Sequence, residues 1–175
     1  MSLKIIFLDR DGVINKDIGY LHKIEHCEFI EGVFQACAYL KLLGYQIVLV
    51  TNQSGIGRGL FSEKEFQILT NWMIKQFENH GIDILDIFYC PHLPDYGCNC
   101  RKPKPGMLLN AEKKHSIDMK KSWMIGDSER DIIAASLAGI TNTILVESGH
   151  IIDEENSQAK YHLTSIKDIR NVVKF

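Results

Sequence analysis

No apolar run in the 175 residues approaches the roughly 20 needed to cross a bilayer. Met1 to Arg10 carries neither the basic start nor the apolar stretch of a secretion signal, so a cytoplasmic protein is expected. A long cationic stripe is also missing. Net charge is −2 with acidic and basic residues mixed along the chain, which gives no foothold to nucleic acid or to an anionic membrane and leaves a small molecule as the expected partner. Internal repeats and low-complexity segments are absent. The length suits one domain with a full core and is too short for two, so a single domain over residues 1–175, working as a monomer, is the expectation. Cysteine is sparse and uneven: of five, Cys27 and Cys37 stand apart while Cys90, Cys98 and Cys100 cluster. In a reducing compartment that pattern argues for a metal and against disulfides.

What is present is an alternation of strand and helix signals. Ile5 to Leu8, Ile47 to Val50, Ile84 to Cys90, Trp123 to Ile125 and Thr143 to Val146 are apolar runs of strand length, suited to a parallel sheet covered on both faces. Between them lie helical stretches. Gly32 to Leu43 places Val33, Phe34, Cys37 and Leu40 on one face, closed by Gly44; Ser62 with Glu65 is a capping box opening a helix with Phe66, Leu69, Met73 and Phe77 at helical spacing. Further helices are expected after Pro105 and from Arg130 to Ala138, and the tail from Ile151 to Phe175 reads as a polar loop with a short helix begun near Ser165. Together these signals predict a doubly wound α/β sheet.

Ligands gather at the carboxyl ends of the strands in such a sheet. Four strand ends here carry polar chemistry: Asp9 and Asp11, then Thr51 and Asn52, then Arg101 and Lys102, then Asp127 and Asp131. Two carboxylates two positions apart repel unless a cation or a shared proton holds them. Carboxylates from two strand ends form an all-oxygen site suited to Mg²⁺, and Lys102 with the Thr51 hydroxyl is what a phosphoryl group requires.

Those residues resemble the haloacid dehalogenase superfamily of aspartate-nucleophile phosphotransferases, in Asp9-Arg10-Asp11-Gly12, Thr51, Lys102 and Gly126-Asp127 with Asp131. The resemblance implies that Asp9 attacks phosphorus and that Asp11 protonates the leaving alkoxide. It also implies Asp127 as a metal ligand beside the Asp9 carboxylate and the Asp11 carbonyl. An acid at Asp11 favours a phosphatase over a dehalogenase, because halide leaves unaided. Asp131 could orient Lys102 or serve the dipole of its helix.

Cys90, His92, Cys98 and Cys100 form a Cys-x-His, x5, Cys-x-Cys set, a tetrahedral zinc pattern with no open position, read as structural for the loop 90–100. His22, His26, His80, His115, His150 and His162 lack ligand spacing and read as solvated or partly packed. A zinc loop of this form narrows the resemblance to two groups, the heptose 1,7-bisphosphate 7-phosphatases and the histidinol-phosphate phosphatases. The five-residue gap between His92 and Cys98 is similar to the histidinol-phosphate group. Asp17-Ile18-Gly19-Tyr20, Thr51 to Gly55 with Gly57-Arg58-Gly59, and Arg101-Lys102-Pro103 look like the heptose group. On the heptose reading the substrate contacts are Arg10, Asp17, Ile18, Gly19, Tyr20, Thr51, Asn52, Gln53, Ser54, Arg58, Arg101 and Lys102, with Arg58 and Arg101 suited to a second phosphate. No inserted cap is found, so the site should open above the sheet. Two other readings are a zinc-stabilised binding module and a nucleic-acid 3′-phosphatase; the acid at Asp11 argues against the first and the missing basic stripe against the second.

Overall fold

The computed structural model describes residues 2–151 and 153–174. Six parallel strands form one sheet: β1 (Ile5–Leu8), β2 (Gln46–Asn52), β3 (Ile84–Cys90), β4 (Trp123–Gly126), β5 (Asn142–Val146) and β6 (Tyr161–Leu163). Their order is β3-β2-β1-β4-β5-β6. The chain thus winds outward from β1 to β3, then returns to the other flank of β1 and winds outward again. The reversal falls between β1 and β4, and a crevice opens there above the carboxyl ends of both strands.

Each central strand buries both faces, which is why it reads as a continuous apolar run. Ile6 and Leu8 join one cluster with Ile47, Leu49 and Ile125; Ile5 and Phe7 join the other with Val48, Val50 and Met124. Helices α1 (Val33–Leu42) and α3 (Glu63–Asn79) cover the first face, and α4 (Gly106–His115) and α5 (Glu129–Leu137) the second. The four-residue helix α2 (Ser54–Gly57) follows the tip of β2. Phe7, Phe66 and Phe77 are fully buried, and truncating any one to alanine costs about 3–5 kcal/mol.

The helix signals hold in detail. Ser62 and Glu65 exchange both capping-box bonds, and the buried stripe of α3 is Phe66, Leu69, Met73 and Phe77. Cys37 is buried in α1, while Trp72 lies at the margin of the core, stacked on Phe29. Trp123 is likewise half-buried, its indole N–H donating to the Tyr45 hydroxyl at 3.1 Å. The tail differs from expectation. Beside the short 3₁₀ helix Ile166–Asn171, capped by Ser165, it supplies the edge strand β6, which pairs His162 with Leu145. Three residues are too few to show a period, and an edge position leaves one side unpaired. Ile152 and Phe175, at either end of that tail, lie outside the described residues. Among the described residues no helix is long and apolar enough to cross a membrane.

Candidate active site

Asp9 follows β1 directly, and its backbone N–H donates to Ile125 at 3.0 Å, so the register of β1 against β4 fixes where its carboxylate stands. The Arg10 N–H donates to that carboxylate at 2.7 Å. Lys102 arrives from beyond β3 and is buried with three acceptors on its ammonium: Asp131 at 2.6 Å, the Val50 carbonyl at 2.7 Å and Asp9 at 3.0 Å. Its backbone is fixed too, because the Asn52 side chain bonds both the N–H and the carbonyl of Lys102, at 3.1 and 3.0 Å. Asp131 both orients Lys102 and closes a capping box, accepting from the Ser128 N–H at 3.2 Å. Asp131 thus meets both Lys102 and the N-terminus of α5.

Negative charge is crowded at this floor. Burial, followed by the carboxylate of Asp131, drives the Asp9 carboxyl well above the usual range, with Asp127 and Asp11 adding to the rise and Lys102 opposing it. Burial and Asp131 also push Asp127 up to about 6, with His150 pulling it back. Burial works against the charge on Lys102, yet Asp131 and Asp9 outweigh it and raise the ammonium above its ordinary value. One lysine therefore neutralises only part of the cluster. Ligand oxygens of Asp9, Asp127 and Asp131 lie within 4.8 Å of one another, and Asp131 is already committed to Lys102 and Ser128. Asp9 and Asp127 are left as a pair of hard oxygen donors, the set that a small divalent cation fits. Glycine makes the approach possible: at Gly12, with φ of 81°, and at Gly149, a Cβ would run into the Asp127 carboxylate.

Asp11 is gripped from three directions. Its carboxylate accepts from Arg10 at 3.0 Å through Nη2, from Asn15 at 2.9 Å and from Gln53 at 3.0 Å. Gln53 in turn donates to the Thr51 hydroxyl at 2.8 Å.

Above these residues a cleft of about 470 Å³ opens, lined by Asp9, Asp11, Asp17, Gly19, Tyr20, Thr51, Asn52, Gln53, Ser54, Arg58, Arg101, Lys102 and Asp127. Two of the residues expected to face substrate do not line it. Arg10 is 2 % exposed and lies under the site, pairing Asp11 and donating to the Leu21 carbonyl at 3.1 Å, and Ile18 points to solvent from the rim. Four unanticipated residues do line it: Pro94, Ser128, Arg130 and His150, whose Nδ1 is 2.6 Å from Asp127. His150 lies in a loop after β5 with no motif around it, and only folding carries it across to β4.

Beside the cleft, Cys90, His92, Cys98 and Cys100 converge. The Cys90 and Cys100 sulfurs are 3.0 Å apart, His92 Nδ1 is 3.3 Å from Cys100, and all four ligand atoms lie within 4.8 Å of one another. This is a closed set of three sulfurs and one imidazole nitrogen, the donor chemistry of a tetrahedral soft-metal site. Burial would raise the Cys98 thiol, but the Arg101 N–H and the side chains of Cys100, Cys90 and His92 lower it to about 6. The loop also touches its surroundings: Gly57 N–H donates to the Pro91 carbonyl at 2.9 Å, and Gly106 N–H to Asn99 at 3.0 Å.

A partly buried carboxylate, a fixed lysine and a second, paired acidic residue at the switch point of a parallel sheet are the arrangement of a phosphoric monoester hydrolase of the haloacid dehalogenase type. Residues 99–170 match the HAD-hydrolase-like family model. The chain is 49 % identical over 177 residues to the D-glycero-beta-D-manno-heptose-1,7-bisphosphate 7-phosphatase of Vibrio cholerae, covering 97 % of this chain and 95 % of the relative. It is 48 % identical over 165 residues to the D-glycero-alpha-D-manno-heptose-1,7-bisphosphate 7-phosphatase of Photorhabdus laumondii, covering 90 % of each. Among solved structures, the D,D-heptose 1,7-bisphosphate phosphatase of B. bronchiseptica, complexed with magnesium and phosphate, superposes with a TM-score of 0.86 at 33 % identity, over 95 % of this chain and 96 % of that one. The chain belongs to the heptose-1,7-bisphosphate 7-phosphatase family of that superfamily.

Proposed function

We propose that this chain removes the C7 phosphate of D-glycero-D-manno-heptose 1,7-bisphosphate, leaving heptose 1-phosphate for the ADP- or GDP-heptose used in glycans such as the lipopolysaccharide core. The observation that carries the reading is the Asp9 carboxylate held 3.0 Å from the buried Lys102 ammonium at the floor of an open cleft of about 470 Å³, in a chain about half identical to enzymes of that name.

Asp9 attacks phosphorus, the bond from phosphorus to the C7 oxygen breaks, and Asp11 gives its proton to the departing alkoxide. Asp11 then takes a proton from water as that water attacks the aspartyl phosphate, which releases phosphate and restores the Asp9 carboxylate. Protonating a sugar alkoxide contributes about 10²–10⁴ in rate. Arg10, Asn15 and Gln53 keep Asp11 aimed for both transfers, and Lys102 with the Thr51 hydroxyl holds the phosphoryl oxygens. Mg²⁺, held by the Asp9 and Asp127 carboxylates and the Asp11 carbonyl, supplies the remaining neutralisation of phosphoryl charge when bound. Zinc in the cysteine loop has a structural part, keeping Arg101 and Lys102 in direction. Arg58 and Arg101 serve the second phosphate, and Asp17 to Tyr20 with Ser54 contact the sugar. On this reading the chain works as one domain, a cytoplasmic monomer.

The test is phosphate release with Mg²⁺ from both anomers of heptose 1,7-bisphosphate and from histidinol phosphate under matched conditions. Preference for a bisphosphate is expected; preference for histidinol phosphate would make the short His92 to Cys98 gap the better guide to substrate. Relatives named for either anomer stand at 48 % identity in the same bacterium, so the assay also assigns the anomer.

A further inference from the structure

Under α3, against β2, lies a cavity of about 10 Å³ with an apolar side formed by Leu49, Phe66 and Met73 and a polar side formed by Arg10, Thr51 and Thr70. Two buried polar atoms of these residues make no hydrogen bond among the described residues: Nη1 of Arg10 and the hydroxyl of Thr70. The rest of the guanidinium is committed. Nε and Nη2 donate to Asp11 at 3.2 and 3.0 Å, and Nη2 also reaches the Leu21 carbonyl at 3.1 Å. A threonine inside a helix can return its hydroxyl to the carbonyl four residues back, and Thr70, in the middle of α3, does not. Buried polar groups are rarely left without a partner, and here two of them belong to walls of the same small space.

We propose that this cavity holds one fixed water, which accepts from Arg10 Nη1 and donates to the Thr70 hydroxyl, and that Thr70 is thereby a positioning residue for Asp11. A guanidinium can only donate and a hydroxyl can accept, so a molecule able to do both fits between them. The space is about what one water needs, and a buried water is kept by two or more polar partners. An anion is a poor match, because Asp11 already neutralises Arg10 through an ion pair of 3.0 Å. With Nη1 tied through water to α3, the fork of Nε and Nη2 is held in the plane that meets Asp11. The proposal rests on the phosphatase reading, in which Asp11 is the acid, and adds a support for that acid from a helix none of whose residues lines the cleft.

A high-resolution crystal structure of the wild type should show one density peak within hydrogen-bonding distance of both Arg10 Nη1 and Thr70 Oγ1, and Thr70→Val should lose it. The kinetic arm measures kcat of the wild type, Thr70→Val and Thr70→Ser with heptose 1,7-bisphosphate and with p-nitrophenyl phosphate. Thr70→Val keeps the branched shape and removes the hydroxyl. Its kcat on the sugar phosphate should fall about 10-fold, and on the aryl phosphate, whose leaving group needs little protonation, less than about 3-fold. Thr70→Ser keeps the hydroxyl and should recover most of the sugar phosphate rate. A wild-type cavity without the peak, equal losses on both substrates, undiminished sugar phosphate turnover in Thr70→Val, or no recovery in Thr70→Ser overturns the proposal. Asp11→Asn in the same assay keeps the two readings apart. If it slows both substrates equally, the acid role of Asp11 fails; a selective loss there with none in Thr70→Val strikes the proposal alone.

Discussion

Replacing Asp131 with asparagine removes one negative charge from the floor of the cleft and keeps the side chain's shape. The native carboxylate is 1 % exposed, pairs with Lys102 at 2.6 Å and caps α5 through the Ser128 N–H at 3.2 Å. Breaking a buried ion pair costs about 3–5 kcal/mol when the surviving charge is left alone. Here Lys102 keeps Asp9 at 3.0 Å and the Val50 carbonyl at 2.7 Å, and Asp9 and Asp127 lose a repelling neighbour. The net destabilisation should therefore be about 1–3 kcal/mol, or about 2–4 °C in Tm for each kcal/mol. Catalysis should suffer more than stability: a lysine pinned on one side only should lower kcat/KM about 10- to 100-fold. The pH profile separates orientation from general damage. After burial, Asp131 is the strongest influence raising the Asp9 carboxyl, and Asp9 must be ionised to attack. Activity therefore appears as pH rises through the Asp9 value, and relieving the repulsion moves that acid limb to lower pH. An acid limb that stays in place or moves upward in Asp131→Asn would refute the reasoning, whatever happened to kcat.

Asp11→Asn should slow the sugar phosphate about 10²–10⁴-fold and p-nitrophenyl phosphate far less, since its leaving group needs little protonation; equal losses count against the acid role. Cys98→Ser removes one of the four ligand atoms and should weaken zinc retention against a chelator by more than the roughly 10- to 100-fold typical of losing an outer-shell partner. It should also raise KM more than it lowers kcat, because the loop bears on Arg58 through the 2.9 Å bond from Gly57 to Pro91; full zinc content with an unaltered KM would separate the loop from binding. Gly12→Ala forces a Cβ into the Asp127 carboxylate at a φ of 81°, which should cost about 1–3 kcal/mol and raise the Mg²⁺ concentration for half-maximal activity. Unchanged thermal stability and Mg²⁺ dependence would show that the crowding is not felt.

Sequence order carried the scaffold well where the physics is local. Ile5 to Leu8 reads as a strand because both its faces are buried, and the bonds of Ser62 with Glu65 are made within a single turn of helix. The carboxyl-end residues Asp9, Thr51 and Asp127 were legible for a related reason, since polar residues interrupting apolar runs mark the strand tips, whereas Lys102, twelve residues past the end of β3, was legible through its motif. What stayed hidden depends on contacts across the chain. His150 meets Asp127 from 23 residues away, and Gln53 reaches Asp11 from 42, with no periodic signal to announce either. Arg10 shows the limit of motif reading. The resemblance to the heptose group implies a substrate contact for it, yet the cavity under α3 takes in its guanidinium, with Phe66 5.8 Å away, and turns it into a support for Asp11.

The most direct test of the account is ³¹P NMR of heptose 1,7-bisphosphate during turnover, which reports each phosphate separately. Loss of the C7 resonance in step with the growth of inorganic phosphate, with the C1 resonance retained as heptose 1-phosphate, is the predicted result. Loss of the C1 phosphate first, or two intact resonances with enzyme and Mg²⁺ present, would contradict it.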